Sequence, residues 1–258
     1  MDWSERIVFV TGASSGIGAA CARAFAGAGG RILVAARRRD RLAALSAELA
    51  AAAGGPERVH QIVLDVRDQP AVARAIASLP DEWSAIDVLV NNAGLSRGLA
   101  KLHEGELADW EEMIDTNVKG LLYVTRAVLP GMVARGRGHV INLGSIAGHE
   151  SYPGGNVYCA SKAAVKALTS GLRMDLVDTP IRVSTIDPGL VETEFSLVRF
   201  RGDAPRAAKV YAGLEPLTAE DVAEVVFFCA SLPAHVNLAE VLLLPAAQAS
   251  ATLVHRRT

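Results

Sequence analysis

Short apolar segments and longer amphipathic segments alternate along the chain. Each short segment is rich in Val, Ile or Leu and lacks a regular apolar–polar alternation, which is typical of parallel strands covered on both faces. Seven such strands are predicted, at Ile7–Thr11, Arg31–Ala36, His60–Asp65, Ile86–Asn91, His139–Leu143, Ile181–Ile186 and Glu240–Leu244. Helices, each opened or closed by Ser, Asp, Gly or Pro, are predicted at about Gly16–Gly27, Arg39–Ala53, Gln69–Ser78, Leu107–Arg135, Asn156–Asp178 and Ala219–Ser231.

This order of elements predicts an α/β fold of the Rossmann type, a doubly wound sheet of about seven parallel strands with helices on both faces. The chain has 258 residues, of which 50% are hydrophobic and 21% charged, and this is enough for one large core. No internal repeat or low-complexity linker divides it. We therefore expect a single domain over residues 1–258.

Charge balance and the length of apolar runs argue against two kinds of partner. The net charge is −2, from 26 Lys and Arg against 28 Asp and Glu, so we expect no nucleic-acid partner. No apolar run approaches the roughly 18 residues of a membrane span, and residues 1–6 lack the pattern of a leader peptide. We expect a protein that is not exported and has no membrane partner.

The cysteines and histidines form no recognisable metal-ligand spacing. Cys21, Cys159 and Cys229 cannot all pair, and they suit a reducing compartment in which each is a small buried apolar group. His103, His149 and His255 form no ligand set. We expect a cytoplasmic protein without a metal site.

Gly12, Gly16 and Gly18 lie directly after the first predicted strand and at the start of the first predicted helix. Glycine there permits a tight turn and a close approach of backbone N–H groups to a pyrophosphate. Ser14 and Ser15 can cap the helix or donate their hydroxyls to phosphate. Taken alone, the motif also fits a glycine-rich connection without a ligand, but its position favours a dinucleotide site.

The end of the second predicted strand indicates which nicotinamide cofactor binds. Proteins that bind NAD usually place an Asp or Glu here for the ribose hydroxyls, whereas Ala36 is followed by Arg37 and Arg38. Two guanidinium groups can pair with a 2′-phosphate, so the sequence favours NADP over NAD. A solvated helix start is the alternative, although cations at a helix N-terminus oppose its macrodipole. Asp65 either accepts a hydrogen bond from the adenine amino group or only forms a turn.

Three residues are candidates for the chemistry. Tyr158 and Lys162 are four positions apart in a predicted helix, so their side chains share one face. A free phenol has a pKa near 10 and is a poor base at neutral pH, and a neighbouring ammonium lowers that pKa. Ser145 follows the fifth predicted strand, at the sheet edge where ligands bind, and it either holds a substrate oxygen or is a turn serine.

The glycine turn, the segment Asn91–Gly94 (NNAG), Ser145 and the Tyr158–Lys162 pair resemble the signature of the short-chain dehydrogenase/reductase superfamily, over nearly the whole chain. The resemblance implies that Tyr158 is the general acid/base and that Ser145 orients the substrate oxygen. It implies that Lys162 lowers the tyrosine pKa and binds the nicotinamide ribose, and that Asn117 anchors a water linking Lys162 to solvent. Further implied cofactor contacts come from Ile17, Val66, Asn91, Asn92, Ala93, Gly94, Pro188, Gly189, Val191 and Thr193.

A narrower resemblance concerns the substrate. Segments including Trp110–Thr116, Gly154–Tyr158, Glu194–Phe200 and Leu232–Asn237 are similar to the bacterial NADP-dependent 3-hydroxy acid dehydrogenases, which oxidise serine and L-allo-threonine and reduce malonic semialdehyde. This likeness implies a small 3-hydroxy acid as substrate, of the serine, L-allo-threonine or 3-hydroxypropionate type. It also implies a substrate lid over about residues 190–215.

A carboxylate substrate requires a cation near the nicotinamide. Arg97, Arg199 and Arg201 are the candidates, and Arg199 is favoured because it lies in the narrower resemblance. A solvated surface arginine is the alternative. Two other functions stay open: an NADPH-dependent reductase of neutral ketones, sugars or polyols, and a non-catalytic NADP-binding sensor.

The long predicted helices Leu107–Arg135 and Asn156–Asp178 have more apolar positions than one sheet face can cover. These positions include Leu121, Leu122, Val124, Val165, Leu168 and Leu172. Members of the superfamily pair the corresponding helices into dimers or tetramers, and by that resemblance we expect a homotetramer.

Overall fold

The computed structural model describes residues 2–257, and a seven-stranded sheet forms its centre. The strands are β1 (Ile7–Thr11), β2 (Arg31–Ala36), β3 (Val59–Val63), β4 (Ile86–Asn91), β5 (His139–Leu143), β6 (Arg182–Pro188) and β7 (Glu240–Leu243). Their order is β3-β2-β1-β4-β5-β6-β7, and all neighbours pair in parallel. The predicted doubly wound, single-domain fold is confirmed.

Helices cover both faces of the sheet. They are α1 (Gly16–Gly27), α2 (Arg39–Ala53), α3 (Gln69–Ala77), α4 (Asp81–Ser84), α5 (Leu107–Ile114), α6 (Leu121–Arg135), α7 (Asn156–Asp175), α8 (Phe195–Arg199), α9 (Ala204–Lys209) and α10 (Ala219–Ser231). Helices α1, α2 and α10 enclose one core with Val8 and Ile186, and helices α3 and α6 enclose the other with Phe9 and Leu89. Among residues 2–257, no helix combines the length and apolar character needed to span a bilayer.

The two cores explain why the strands are apolar at nearly every position. Successive side chains of a strand point to opposite faces of the sheet. Val8 and Phe9 are neighbours on β1, they belong to different cores, and neither is exposed to solvent. A strand between two layers of helices therefore needs apolar residues on both of its faces.

The structure corrects several predicted bounds. β3 ends at Val63 rather than Asp65, β6 extends to Pro188, and α7 ends at Asp175 rather than Asp178. The helix predicted over Leu107–Arg135 is interrupted, because a π-helical segment at Asp115–Gly120 joins α5 to α6.

Three short helices, α4, α8 and α9, were not predicted from the sequence. They have 4, 5 and 6 residues, which is too short for a helical spacing of apolar residues to become visible. Two of them, α8 and α9, lie in the segment between β6 and α10, where the sequence resemblance placed a lid.

The sheet topology brings the predicted site segments to one edge. The order of strands reverses at β1, which lies between β2 and β4. Ligands of doubly wound sheets bind in the crevice at the carboxyl ends of the strands at such a switch point. β1 leads into the glycine turn, β4 into Asn92–Gly94, β5 into Ser145 and β6 into Gly189, so these segments meet at that crevice.

Candidate active site

A cleft of about 560 Å³ runs along the carboxyl ends of the strands. Its walls come from the turn between β1 and α1, the ends of β2 and β3, the start of α7 and the segments after β4, β5 and β6. Most residues that the sequence singled out line this cleft: Gly12, Ser14, Ser15, Gly16, Ile17, Arg37, Arg38, Asp65, Val66, Asn92, Ala93, Gly94, Ser145, Tyr158, Lys162, Pro188, Gly189, Val191, Thr193 and Arg199.

Gly18, Asn91 and Asn117 do not line the cleft and lie behind its walls instead. A Cβ atom at Gly18 would lie 2.7 Å from the carbonyl oxygen of Gly12, so this glycine allows α1 to pack closely against the turn. Asn91 is buried and donates to Thr125 Oγ1 at 2.8 Å and to Asn142 Oδ1 at 2.9 Å. Gly18 and Asn91 therefore shape the wall and offer no side chain to a ligand.

The glycine turn has the form of a phosphate cradle. Gly12 and Gly16 adopt φ angles of 65° and 53°, which residues with a side chain rarely adopt. A Cβ atom at Gly12 would lie 2.8 Å from Cα of Ala93, too close for a residue other than glycine. Ser15, the N-cap of α1, makes no side-chain cap, so the first-turn N–H groups remain for an anion. This turn fits the pyrophosphate of a dinucleotide.

Arg38 is held against the glycine turn. Its guanidinium donates to Ser14 Oγ at 2.9 and 3.1 Å and to Ser15 Oγ at 2.6 Å, and it forms an ion pair with Glu194 at 3.0 Å. Arg37 lies 3.9 Å from Glu112, its nearest carboxylate partner, and is half-exposed. A cluster of guanidinium and hydroxyl donors beside the turn suits a phosphate monoester.

Asp65 lies at the other side of this region and is engaged by Arg67. The guanidinium of Arg67 donates to both carboxylate oxygens of Asp65, at distances between 2.6 and 3.0 Å. Burial opposes ionisation of Asp65, but the hydrogen bonds from Arg67 outweigh it and lower the pKa of this carboxyl. Asp65 is thus an ionised acceptor at the cleft, shared between Arg67 and any adenine amino group.

Ser145, Tyr158 and Lys162 come together at the inner end of the cleft. Tyr158 lies in the first turn of α7 and Lys162 one turn later, with the ammonium 6.0 Å from the centre of the phenol ring. Lys162 Nζ donates to the carbonyl oxygen of Leu143 at 2.8 Å, which fixes it under the end of β5. The Ser145 hydroxyl accepts from the N–H of Ala147 at 3.1 Å and lies close enough to Tyr158 to affect its pKa.

Burial dominates the electrostatics of this group. It raises the pKa of the Tyr158 phenol, with a further contribution from Tyr152, while Arg199 and Ser145 act in the opposite direction. Burial also lowers the pKa of the Lys162 ammonium to about 8, and Asp187 opposes this shift. Desolvation of the tyrosine thus outweighs the contributions of Arg199 and Ser145. The implied lowering of the phenol pKa by Lys162 stays a prediction.

The burial of the Lys162 ammonium is expected to make the stability of the protein depend on pH. Below about pH 8, Lys162 is charged in the folded protein, and its burial lowers the free energy of unfolding. Between about pH 8 and pH 10.5, Lys162 is protonated only in the unfolded chain, so stability increases with pH over this range. Replacing Lys162 by Met is expected to raise the free energy of unfolding at pH 7 by about 3 kcal/mol and to have little effect above pH 10.5. Urea unfolding of both proteins at pH 7 and pH 10.5 measures this difference.

The matched control is Lys119→Met, since Lys119 is exposed and its pKa is raised by Asp115. This variant is expected to show no gain in stability at pH 7. An equal effect of both substitutions at the two pH values would contradict the burial argument for Lys162.

Asn117 lies in the π-helical segment between α5 and α6 and joins three elements. Its amide accepts from the N–H of Leu95 at 2.8 Å, and it donates to the Leu95 carbonyl at 2.8 Å and to Ser161 Oγ at 3.0 Å. A Cβ atom at Gly94 would lie 3.3 Å from Asn117 Oδ1 and 3.6 Å from Lys162 Nζ, so Asn117 borders the lysine. Its implied role as the anchor of a water stays a prediction.

The structure separates the three arginines proposed for a substrate carboxylate. Arg97 donates to Glu112 at 2.7 Å, and Arg201 is exposed and pairs with Asp109. Arg199 has no carboxylate partner among residues 2–257, and its buried Nε lacks any hydrogen-bond acceptor. Its guanidinium donates to Tyr152 Oη at 2.9 Å and lies 5.3 Å from the centre of the Tyr158 ring. Of the three arginines, Arg199 is therefore the one available beside the phenol.

Tyr152 and Phe195 are site residues that the sequence analysis missed. Tyr152 holds Arg199, and the Phe195 ring lies 5.6 Å from that of Tyr158, so aromatic rings surround the guanidinium. A Cβ atom at Gly155 would collide with the Tyr152 ring. The Gly154–Gly155 pair was therefore the local feature of the sequence that could have indicated close packing around Tyr152. Phe195 had none, since α8 is too short to be recognised.

His149, Asp187 and Glu240 bring one potential ligand atom each within 4.8 Å of one another, a cluster that their sequence spacing did not indicate. The ammonium of Lys166 contacts two of them, 2.9 Å from His149 Nδ1 and 3.2 Å from Glu240. Nε2 of His149 pairs with the buried Asp187 at 2.8 Å. An ammonium at this position makes the cluster a hydrogen-bonded charge network, and we assign no metal to it.

A dinucleotide cleft at the switch point of a parallel sheet, with Ser, Tyr and Lys at its inner end, defines a nicotinamide-dependent dehydrogenase. The chain belongs to the short chain dehydrogenase family, whose model matches residues 6–202.

Particular relatives match nearly the whole chain. The NADP-dependent 3-hydroxy acid dehydrogenase YdfG of Salmonella typhi is 52% identical over 97% of this chain and 99% of its own length. Sulfoacetaldehyde reductase 2 of Chromohalobacter salexigens is 48% identical, over 94% of this chain and 95% of its own. The closed form of serine dehydrogenase complexed with NADP+ superposes with a TM-score of 0.91 at 48% identity, covering 98% of this chain and 100% of that chain.

Proposed function

We propose that this chain is an NADP-dependent dehydrogenase of small 3-hydroxy acids, of the serine, L-allo-threonine and 3-hydroxypropionate type. The observation that carries the proposal is Arg199, a cation without a carboxylate partner among the described residues, next to the phenol of Tyr158. A hydroxy acid offers both groups that this pair requires, a carboxylate and a nearby hydroxyl. The names of the relatives support the same cofactor and substrate class.

The cofactor is proposed to lie along the carboxyl ends of the strands, where the cleft walls fit its parts. The glycine turn with Ser14 and Ser15 would hold the pyrophosphate, and Arg37 and Arg38 would hold the 2′-phosphate. Asp65, Val66 and Asn92–Gly94 would bind the adenosine half, and Lys162, Pro188–Val191 and Thr193 the nicotinamide half. When bound, NADP supplies the hydride acceptor or donor for the substrate carbon.

Tyr158 is proposed to move the proton of the substrate hydroxyl. In oxidation the phenolate accepts the proton as the C3 hydroxyl becomes a carbonyl, and in reduction the phenol returns it. Ser145 holds the same oxygen, and Lys162 favours the phenolate through its positive charge. Burial keeps the phenol protonated at rest, so the protein starts as the acid that carbonyl reduction requires.

The segment of about residues 190–215 is proposed to be the substrate lid. It carries Arg199 and places Phe195 over the Tyr158 ring. Hydrogen bonds from outside the segment hold it, including that from the N–H of Gly98 to the Arg199 carbonyl at 3.0 Å. The N–H of Leu190 donates to Gln248 at 2.8 Å, which ties the start of the segment to the C-terminal region.

One substrate panel tests the proposal. Purified protein is assayed with NADP or NAD and L-serine, L-allo-threonine, 3-hydroxypropionate or neutral 1,3-propanediol, and in reverse with malonic semialdehyde and sulfoacetaldehyde. We expect kcat/KM to be highest for a hydroxy acid with NADP and at least about 50-fold lower for the diol, because the diol offers no carboxylate to the partly buried Arg199 guanidinium, whose buried Nε then stays without an acceptor.

Other outcomes of the panel contradict the proposal in distinct ways. Faster turnover of neutral alcohols or ketones would indicate a reductase of neutral ketones, sugars or polyols. NADPH binding without turnover of any substrate would indicate a non-catalytic sensor. Faster reduction of sulfoacetaldehyde than of malonic semialdehyde would assign a sulfonate rather than a carboxylate to Arg199.

We further propose that the chain forms a homotetramer through α6 and α7 in the cytoplasm. The structure corrects the apolar positions that were expected on the surface, since Leu121, Val124 and Val165 are buried in the chain's own interior. Leu122, Val133 and Met174 are exposed large apolar residues on α6 and α7, and they support an interface there. The three cysteines are buried and unpaired, which supports a reducing compartment.

A further inference from the structure

Glu194 occupies the position of an anion beside Arg38 and Arg41. Its carboxylate lies 3.0 Å from Arg38 and accepts from Arg41 at 2.6 and 2.7 Å. Arg38 also donates to the hydroxyls of Ser14 and Ser15, so the carboxylate of Glu194 and the hydroxyls of the glycine turn are the acceptors around this guanidinium. The anion site at the end of β2 is thus filled by an acid 153 or more residues away in the chain.

The ion pairs of Glu194 with Arg38 and Arg41 form at neutral pH but are weak enough for another anion to replace the carboxylate. Hydrogen bonds from Arg41 and then Arg38 lower the pKa of Glu194, so it is a carboxylate at neutral pH. The side chains of Arg38, Arg41 and Glu194 are each 39–49% exposed, and ion pairs this exposed contribute little to stability. A phosphate monoester has a greater charge and three acceptor oxygens, so it competes well for the same guanidinium groups.

We propose that Glu194 is a cofactor-selectivity residue that competes with the 2′-phosphate of NADP for Arg38 and Arg41. A dinucleotide with a 2′-phosphate must displace the carboxylate, whereas one with a free 2′-hydroxyl leaves the ion pairs in place. Glu194 therefore weakens the binding of NADP while leaving NAD binding unchanged. This inference rests on the proposed NADP dependence.

The competition has a consequence for the lid. Glu194 is the N-cap of α8, and Arg199 is the last residue of that helix. The two ion pairs hold the N-terminal end of α8 to α2, while the C-terminal end carries the cation beside Tyr158. Displacement of Glu194 would free the N-terminal end of α8 from α2. The C-terminal end of α8, which carries Arg199, would keep its contacts beside Tyr158.

The test compares Glu194→Gln with the wild-type protein. Dissociation constants are measured for NADPH and NADH by fluorescence titration and for 2′-AMP and 5′-AMP by competition, at 20 and 300 mM salt. We expect the substitution to tighten NADPH and 2′-AMP binding about fivefold at low salt and less at high salt, because added ions screen exposed charges. NADH and 5′-AMP affinities are expected to stay the same.

Two further variants serve as controls. Glu192→Gln removes an exposed acid two residues away in the same segment and is expected to change none of the affinities. Glu194→Ala removes the carboxylate without introducing an amide, so it must reproduce the effect of Glu194→Gln if charge competition is the cause. Melting temperatures confirm that each variant is folded.

The outcomes separate this inference from the proposed function. If wild-type protein binds NADH as tightly as NADPH, the proposed NADP dependence fails and the inference fails with it. If wild-type protein prefers NADPH but removing the Glu194 carboxylate leaves this preference unchanged or reduces it, only the inference fails. Glu194 would then orient the arginines for the phosphate rather than compete with it.

Discussion

Replacing Tyr158 by Phe is expected to lower kcat by about 10³-fold while leaving the affinity for NADPH nearly unchanged. The substitution removes only the hydroxyl that we propose moves the substrate proton, and the ring remains in its buried site between Phe195 and the lysine. The measurement is steady-state turnover with the best substrate of the panel, together with NADPH binding followed by fluorescence.

Tyr123→Phe is the matched control, because it removes the same hydroxyl from a tyrosine on α6 that does not line the cleft. This variant is expected to retain wild-type kcat. Substantial turnover by Tyr158→Phe would assign the proton transfer to another group. A loss of NADPH affinity as large as the loss of kcat would show that the phenol acts in binding the cofactor instead.

The burial of Tyr158 determines which protonation state of the phenol is favoured. A phenol whose pKa is raised by desolvation stays protonated, and the protonated form is the one that donates to a developing alkoxide in carbonyl reduction. Oxidation requires the phenolate, so the nearby positive charges must offset the cost of burial. Arg199 and Ser145 already lower the pKa of this phenol, and a substrate carboxylate that neutralises Arg199 would weaken that contribution.

Local signals in the sequence were sufficient for the fold and for most residues that line the candidate cleft. The apolar strands, the Gly12–Gly16 turn and the spacing from Tyr158 to Lys162 depend on neighbouring residues or on a single helical turn, so their pattern is visible in one sequence. The parallel topology then brings the segments to one edge of the sheet, and the fold was predicted correctly for this reason.

The residues that the sequence did not reveal act across long separations. Glu194 meets Arg38 over 156 positions, and Tyr152 meets Arg199 over 47. Neither contact follows from helical or strand periodicity, because α8 is too short to be recognised from the sequence and the segment before α7 is irregular. The raised pKa of Tyr158 could not be predicted from the sequence either, because the burial that raises it depends on packing by the lid and by the segment around Tyr152.

Replacing Arg199 by Ala is expected to raise KM for 3-hydroxypropionate about 30-fold and to change the kinetics of 1,3-propanediol much less. The reason is that a hydrogen-bonded ion pair with a partly buried guanidinium contributes about 2 kcal/mol to substrate binding, and the diol has no carboxylate to lose. Arg199 lies beside Tyr158 and has no carboxylate partner in residues 2–257, so a substrate carboxylate would supply the missing acceptor. The two substrates are compared at saturating cofactor.

Arg201→Ala is the control, since Arg201 is an exposed arginine two residues away that already pairs with Asp109. It is expected to leave KM unchanged. Arg199→Lys keeps the positive charge but loses the planar guanidinium that Tyr152 and the aromatic rings hold, so we expect only partial recovery of carboxylate binding. Equal losses for the acid and the diol in Arg199→Ala would mean that Arg199 supports the lid. The carboxylate would then have to bind elsewhere, and the assignment of a hydroxy acid as substrate would lose the observation on which it rests.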